Sequence, residues 1–186
     1  MLRLFLAVDL PESVRQEVAA MCTQVNKARW VKPHQLHITL RFMGQTPDAA
    51  LADIRERLAR VHAPDFELGL RGAGVFPDGT NSKRARVLWL GLDPAEPLVH
   101  LKREIDECLG PDTQRESQGF SPHLTLARFT EKPDATLTQF ISKHQTYHGA
   151  RWPVACFKLY QSTLISNGAV HSLVSTYALA EFCREP

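Results

Sequence analysis

Two short words in the sequence carry residue types that can do chemistry: LHITLRF at 36–42 and PHLTLARF at 122–129. Each holds a histidine and, two positions on, a threonine: His37 with Thr39, and His123 with Thr125. Residues two apart in an extended chain share a face. Each word therefore projects one imidazole and one hydroxyl together, while Ile38 and Leu40, or Leu124 and Leu126, anchor its other side in a core. Histidine titrates near neutrality, so of two imidazoles across a cleft one can accept a proton while the other gives one. Threonine hydroxyls are short, stiff donors suited to binding oxygens between those imidazoles. A phosphoryl group fits that description. A nucleophile enters on one side, an oxygen leaves on the other, and donors hold the equatorial oxygens where charge develops.

The two words are not independent. Setting 37–51 against 123–137 without a gap gives seven identities in fifteen positions, including Pro47-Asp48-Ala49 with Pro133-Asp134-Ala135 and Leu51 with Leu137. The surrounding elements repeat as well. Strands are expected at 3–10, 36–44 and 66–76, with helices at 12–28 and 48–61 between them. A loop at 77–85, whose length bears on substrate size, precedes a strand at 86–92. The order then starts again: a helix at 95–109, a polar loop at 110–120, a strand at 123–129, a helix at 134–145 and a strand at 154–165. Ser166-Asn167-Gly168 reads as a hairpin turn, with 170–181 as its return strand. The expectation is an α+β, bilobal chain built from internally duplicated β-α-β-α-β halves, about 1–85 and 86–186, with antiparallel sheets flanking a central cleft.

Bulk properties narrow the setting. At 186 residues, 44% apolar and 23% charged, the chain suits a single well-buried globular domain. A net charge of +2 neither demands nor excludes a polyanionic partner. Basic residues cluster at Lys27, Arg29 and Lys32 and again at Lys83, Arg84 and Arg86, where a solvated rim is the competing explanation. Four scattered cysteines without a C-x-x-C pair suit a reducing compartment. The short apolar run at the N-terminus stops at Asp9 and Pro11, and no 18-residue apolar stretch occurs. The expected location is the cytoplasm, with no membrane association and a monomeric state.

The paired words, together with RLFLAVDLP, RWVKPHQLHITLRFMG, ARVLWLGL and FSPHLTLARF, resemble the two-histidine phosphoesterase superfamily. Within it, the chain is most similar to the RNA 2',3'-cyclic phosphodiesterases, historically called 2'-5' RNA ligases, from residue 3 to about 182. The resemblance implies hydrolysis of a ribose 2',3'-cyclic phosphate, on RNA ends or nucleotides, to a 2'-phosphate without metal or other cofactor. It also implies His37 as proton donor, His123 as proton acceptor, and Thr39 and Thr125 as phosphate-binding residues. The residue pattern itself assigns neither histidine to the acid role.

Further substrate contacts are expected at Arg128, Phe120 and Ser121. Arg128 closes the second word, as an arginine often does in the family. Strand alternation sets it opposite Thr125, which favours a surface ion pair instead, and the first word has Phe42 in its place. Among Trp30, Phe76, Phe120 and Trp152, Phe120 is the preferred ring for stacking a base; the competing place for each is the core. His34, His62, His100, His144, His148 and His171 lack a repeated context. His144 and His148 have metal-like spacing without a third ligand nearby. Two other activities compete: a 2'-5' phosphodiesterase or ligase using the same histidines on a linear bond, and a non-catalytic RNA-binding module.

Overall fold

The computed structural model describes residues 1–23, 25–77, 84–110, 119–166 and 168–180. Most of the expected loops at 77–85 and 110–120, together with Lys83, Asn167 and Cys183, lie outside them. The described elements run β1 (Leu2–Asp9), α1 (Glu12–Met21), β2 (Arg29–Trp30), β3 (His37–Thr46), α2 (Leu51–Leu58) and β4 (Phe66–Phe76). They continue with β5 (Val87–Asp93), α3 (Glu96–Leu109), β6 (Leu124–Arg128), α4 (Ala135–His144), β7 (His148–Val154), β8 (Cys156–Ile165) and β9 (Gly168–Ala178). Two departures from expectation have local causes. Helix α1 ends at Met21, and the buried Val25, which mimics the helical period, lies beyond it. Strand β7 escapes notice because its segment contains Gly149 and Pro153. It forms an edge of the sheet, where a proline's missing N–H is tolerated.

The strands join in the order β7-β4-β5-β6-β3-β1-β8-β9, with short β2 beside β6. The expected pair of sheets is thus one hydrogen-bonded antiparallel sheet, pinched at its middle. There β3 and β6 meet through the single residue pair Ile38 and Leu124. Beyond it they part, and β2 takes up β6 at Ala127 and Arg128. Neither arm of the sheet is a contiguous half of the sequence. β4 lies with β5, β6 and β7, whereas β8 and β9 lie with β1 and β3. Helices α2 and α3 pack together against the β3 arm, and α1 and α4 pack against the β7–β4 arm.

Both central strands carry the same irregularity just after the motif. Ala7 pairs with Thr39, but Leu6 pairs with Arg41, so β3 has one extra residue there. Trp89 pairs with Thr125, but Leu88 pairs with Ala127, so β6 does likewise. At such a bulge two consecutive residues face the same way and the alternation shifts by one. Leu40 and Arg41 are accordingly both buried, as are Leu126 and Ala127. Phe42 and Arg128 are turned to the opposite face, where both are exposed.

Ile38 and Leu124 are both 0% exposed at the pinch. Truncating either leaves a void at the seam between the arms. Leu124→Ala is expected to lower unfolding free energy by about 2–5 kcal/mol in urea titration. A loss within error of zero would show that the seam is not close-packed.

Candidate active site

The pinch decides where the motif side chains go. Ile38 and Leu124 enter the core, so His37, Thr39, His123 and Thr125 stand on the other face of the sheet. Continuing the register by one residue sets His37 opposite Thr125 and Thr39 opposite His123. The two imidazoles stand diagonally across the Ile38–Leu124 pair. All four residues are half-buried. Neither threonine hydroxyl makes a side-chain hydrogen bond among the described residues.

Each histidine is tethered in the same way. Nδ1 of His37 lies 2.7 Å from the Gln35 carbonyl, and Nδ1 of His123 lies 2.8 Å from the Ser121 carbonyl. A carbonyl only accepts, so Nδ1 carries the hydrogen in both rings. In the neutral imidazole Nε2 is then the basic nitrogen, and it is the one left for the cleft. Rings on both arms pack against these imidazoles. Phe5 lies 5.0 Å from His37, and Phe76 stands edge-on to His123 at 4.9 Å.

Burial pushes both imidazoles below the ordinary histidine value, the carbonyl tethers partly oppose this, and the positive charge of Arg128 pushes both down further. His171 also lowers His37, while Asp9 opposes it. The charge of Arg128 thus acts on both histidines. Strand alternation placed it opposite Thr125, and that expectation fails because the bulge at Leu126–Ala127 turns Arg128 back to the Thr125 face. Arg128 forms no side-chain hydrogen bond or ion pair among the described residues.

The sequence profile of the 2'-5' RNA ligase superfamily matches residues 10–166. The chain belongs to this superfamily. An RNA 2',3'-cyclic phosphodiesterase of Thermus thermophilus is 37% identical over 191 residues, covering 96% of this chain and 90% of the relative. One of Archaeoglobus fulgidus is 32% identical over 173 residues, covering 91% and 96%. The crystal structure of E. coli LigT complexed with 3'-AMP superimposes with a TM-score of 0.77 at 25% identity, covering 96% of this chain and 98% of that one.

In this superfamily member the remaining expected contacts fall differently. Ser121 is exposed, and its contribution is the carbonyl that holds His123. Phe120 packs on the core with the Lys102 ammonium of α3 5.9 Å from its ring centre, on the helix-covered side of the sheet. The ring beside His123 is Phe76 instead, backed by Trp89 at 5.3 Å. Trp152 is buried in the core, and Trp30 lies 6.1 Å from Phe140. His144 is buried with Nδ1 on the Phe140 carbonyl, and His148 is exposed at the start of β7. No group of three or more metal-ligating side chains comes together among the described residues.

Three residues without a repeated context also reach the site. Phe5 touches His37, Phe42, Tyr160 and His171 with its ring, and His171 stands edge-on to His37 at 5.6 Å. Asp9, the Cα partner of His37, accepts from Lys158 at 2.6 Å and from the Tyr160 hydroxyl at 2.9 Å. The apolar run RLFLAVDL gives Phe5 and Asp9 the parity of one face, a signal that could have found them. Nothing in the sequence brings β9 to β3.

Because Arg128 disfavours a second positive charge, its removal should raise both histidine pKa values. In Arg128→Gln, NMR titration of the two imidazoles is expected to show both midpoints moved toward alkaline pH. Unmoved midpoints would mean that the guanidinium points away from the site.

Proposed function

We propose that the protein hydrolyses ribose 2',3'-cyclic phosphates, on RNA ends or nucleotides, to 2'-phosphates by a two-histidine acid–base mechanism without metal. The observation that carries this reading is the pair of tethered imidazoles around Ile38 and Leu124, each offering Nε2 to the same face. Membership of the superfamily and similarity to RNA 2',3'-cyclic phosphodiesterases over most of the chain support it.

His123 Nε2 takes the proton of a water whose oxygen forms a bond to phosphorus. The bond from phosphorus to the ribose 3'-oxygen breaks, and that oxygen takes the proton of His37 Nε2–H. The phosphate remains on the 2'-oxygen. Thr39, Thr125 and Arg128 bind the non-bridging oxygens, on which charge accumulates in the transition state. Assignment of donor to His37 and acceptor to His123 follows the family resemblance. In the same reading the halves about 1–85 and 86–186 are a duplicated unit whose third strands, β4 and β8, are exchanged between arms. Cys22, Cys108 and Cys156 are free thiols, in keeping with a cytoplasmic enzyme.

Turnover of a nucleoside 2',3'-cyclic phosphate in EDTA tests the reading. His37→Ala and His123→Ala should each reduce kcat by about 10²–10⁴-fold. The double variant should lose far less than the product, since the two act as a unit. Thr39→Val and Thr125→Val should each weaken transition-state binding by about 1–3 kcal/mol. Near-normal turnover by His37→Ala with an inactive His123→Ala would replace the pair with a single base, and loss of activity in EDTA would end the metal-free mechanism.

A further inference from the structure

The cleft face beyond His37 carries donors that this chemistry leaves unused. Ser162 pairs with His171 between β8 and β9. The β1–β8 register, Leu4 with Gln161, continues to set Arg3 beside Ser162. Arg3 shares its face of β1 with Phe5, so Arg3, Ser162 and His171 form one cross-strand row on the cleft side. The sheet curls enough to bring the His171 ring within 5.6 Å of His37 and 4.9 Å of Phe5. The 3-10 turn Pro33–Gln35 delivers His34 to the same corner. There the Gln35 amide donates to the Ala169 carbonyl, two residues from His171, at 2.5 Å.

Arg3, His34 and His171 make no side-chain hydrogen bond or ion pair among the described residues. Nδ1 of His171 is enclosed without a partner, which leaves Nε2 as the nitrogen able to meet a ligand. Burial first, then the charges of Arg3 and His34, hold the His171 imidazole below its ordinary value, and among the described residues no carboxylate opposes them. Asp9, the carboxylate on the floor of this arm, is already engaged by Lys158, Tyr160 and Arg15. A corner with three donors of positive or neutral charge and no carboxylate to compensate them suits an anion.

We propose that Arg3, His34 and His171 form a second anion subsite, which takes a phosphate on the 5'-oxygen of the ribose whose cyclic phosphate lies between His37 and His123. This rests on the reading above, in which the ribose 3'-oxygen departs on the His37 side. Two phosphates joined through one ribose can address both places. A terminal 5'-phosphate and the internucleotide phosphate of an RNA strand present the same anionic oxygens, so either source fits.

Calorimetry on the intact protein tests the subsite without relying on turnover. Adenosine 2',5'-bisphosphate should bind about tenfold or more tightly than adenosine 2'-monophosphate, as one or two hydrogen bonds to a charged group allow. Arg3→Gln and His171→Asn should each remove most of that ratio; Arg3 is exposed, so its variant keeps the test open if the other fails to fold. Equal affinities in the wild type, or a ratio untouched by both variants, would overturn the proposal. If cyclic phosphates are not turned over while the ratio behaves as expected, the hydrolytic reading fails and the subsite stands. The source is separated by kcat/KM on cyclic-phosphate substrates. A gain for a 5'-phosphorylated mononucleotide shows that a terminal phosphate suffices. A gain confined to a dinucleotide and lost with a methylphosphonate linkage assigns the internucleotide phosphate. A dinucleotide gain that survives the neutral linkage would overturn the subsite in favour of base contacts.

Discussion

The constraint on which the site depends is the pairing of Ile38 with Leu124, the one residue pair at which β3 and β6 meet. Full burial of each side chain contributes about 1.5–3 kcal/mol, and it does more than stabilise. With a side-chain period of two, committing 38 and 124 to the core commits 37, 39, 123 and 125 to the opposite face. A slip of one residue in either strand would bury an imidazole and expose a leucine, so the hydrophobic effect fixes the register of the polar residues. The absence of further pairing between β3 and β6 is equally necessary. Two strands bonded along their whole length would bring the arms together and leave no cleft between the motif residues.

The two arms share a plan and differ in substance. Counting outward from the pinch, β3-β1-β8 in one arm answers to β6-β5-β4 in the other, with the same bulge after each motif. At matching places, however, Phe42 answers to Arg128, Ala7 to Trp89, and Lys158 to Gly74. Gly74 is required by its neighbour: a Cβ there would lie 2.3 Å from the Trp89 indole, which crosses it. His123 thus stands against a wall of Phe76 and Trp89, whereas His37 stands over Phe5 beside Asp9 and His171. Unequal surroundings are the physical basis on which two identical side chains can hold different protonation states.

Much of this was legible in the residue pattern, because hydrophobic period and repetition are local signals. The alternation through HITL and HLTL sets four side chains on one face, and the gapless match of 37–51 with 123–137 ties the two words together. Arg128 was misplaced by the same reasoning, since alternation holds only where a ladder is regular and a bulge leaves no mark in LTLAR. Nearness in sequence to His123 favours Phe120, yet that ring packs toward α3 while Phe76, far off in the chain, supplies the adjacent ring. His171 was invisible for a related reason. Its approach to His37 depends on the curl of four strands, a property of the whole sheet rather than of any segment.

The charges around the histidines bear on when the proposed chemistry can begin. Burial comes first and Arg128 adds to it, so both imidazoles favour the neutral form in the free protein. An acid–base pair needs one of them protonated. A bound phosphate supplies what is missing, because its negative charge offsets the guanidinium and makes an imidazolium cheaper to hold. At His37 the His171 imidazole opposes the charged form and the Asp9 carboxylate favours it, and His123 has neither neighbour. On the proposed reading, then, the substrate takes part in charging its own acid.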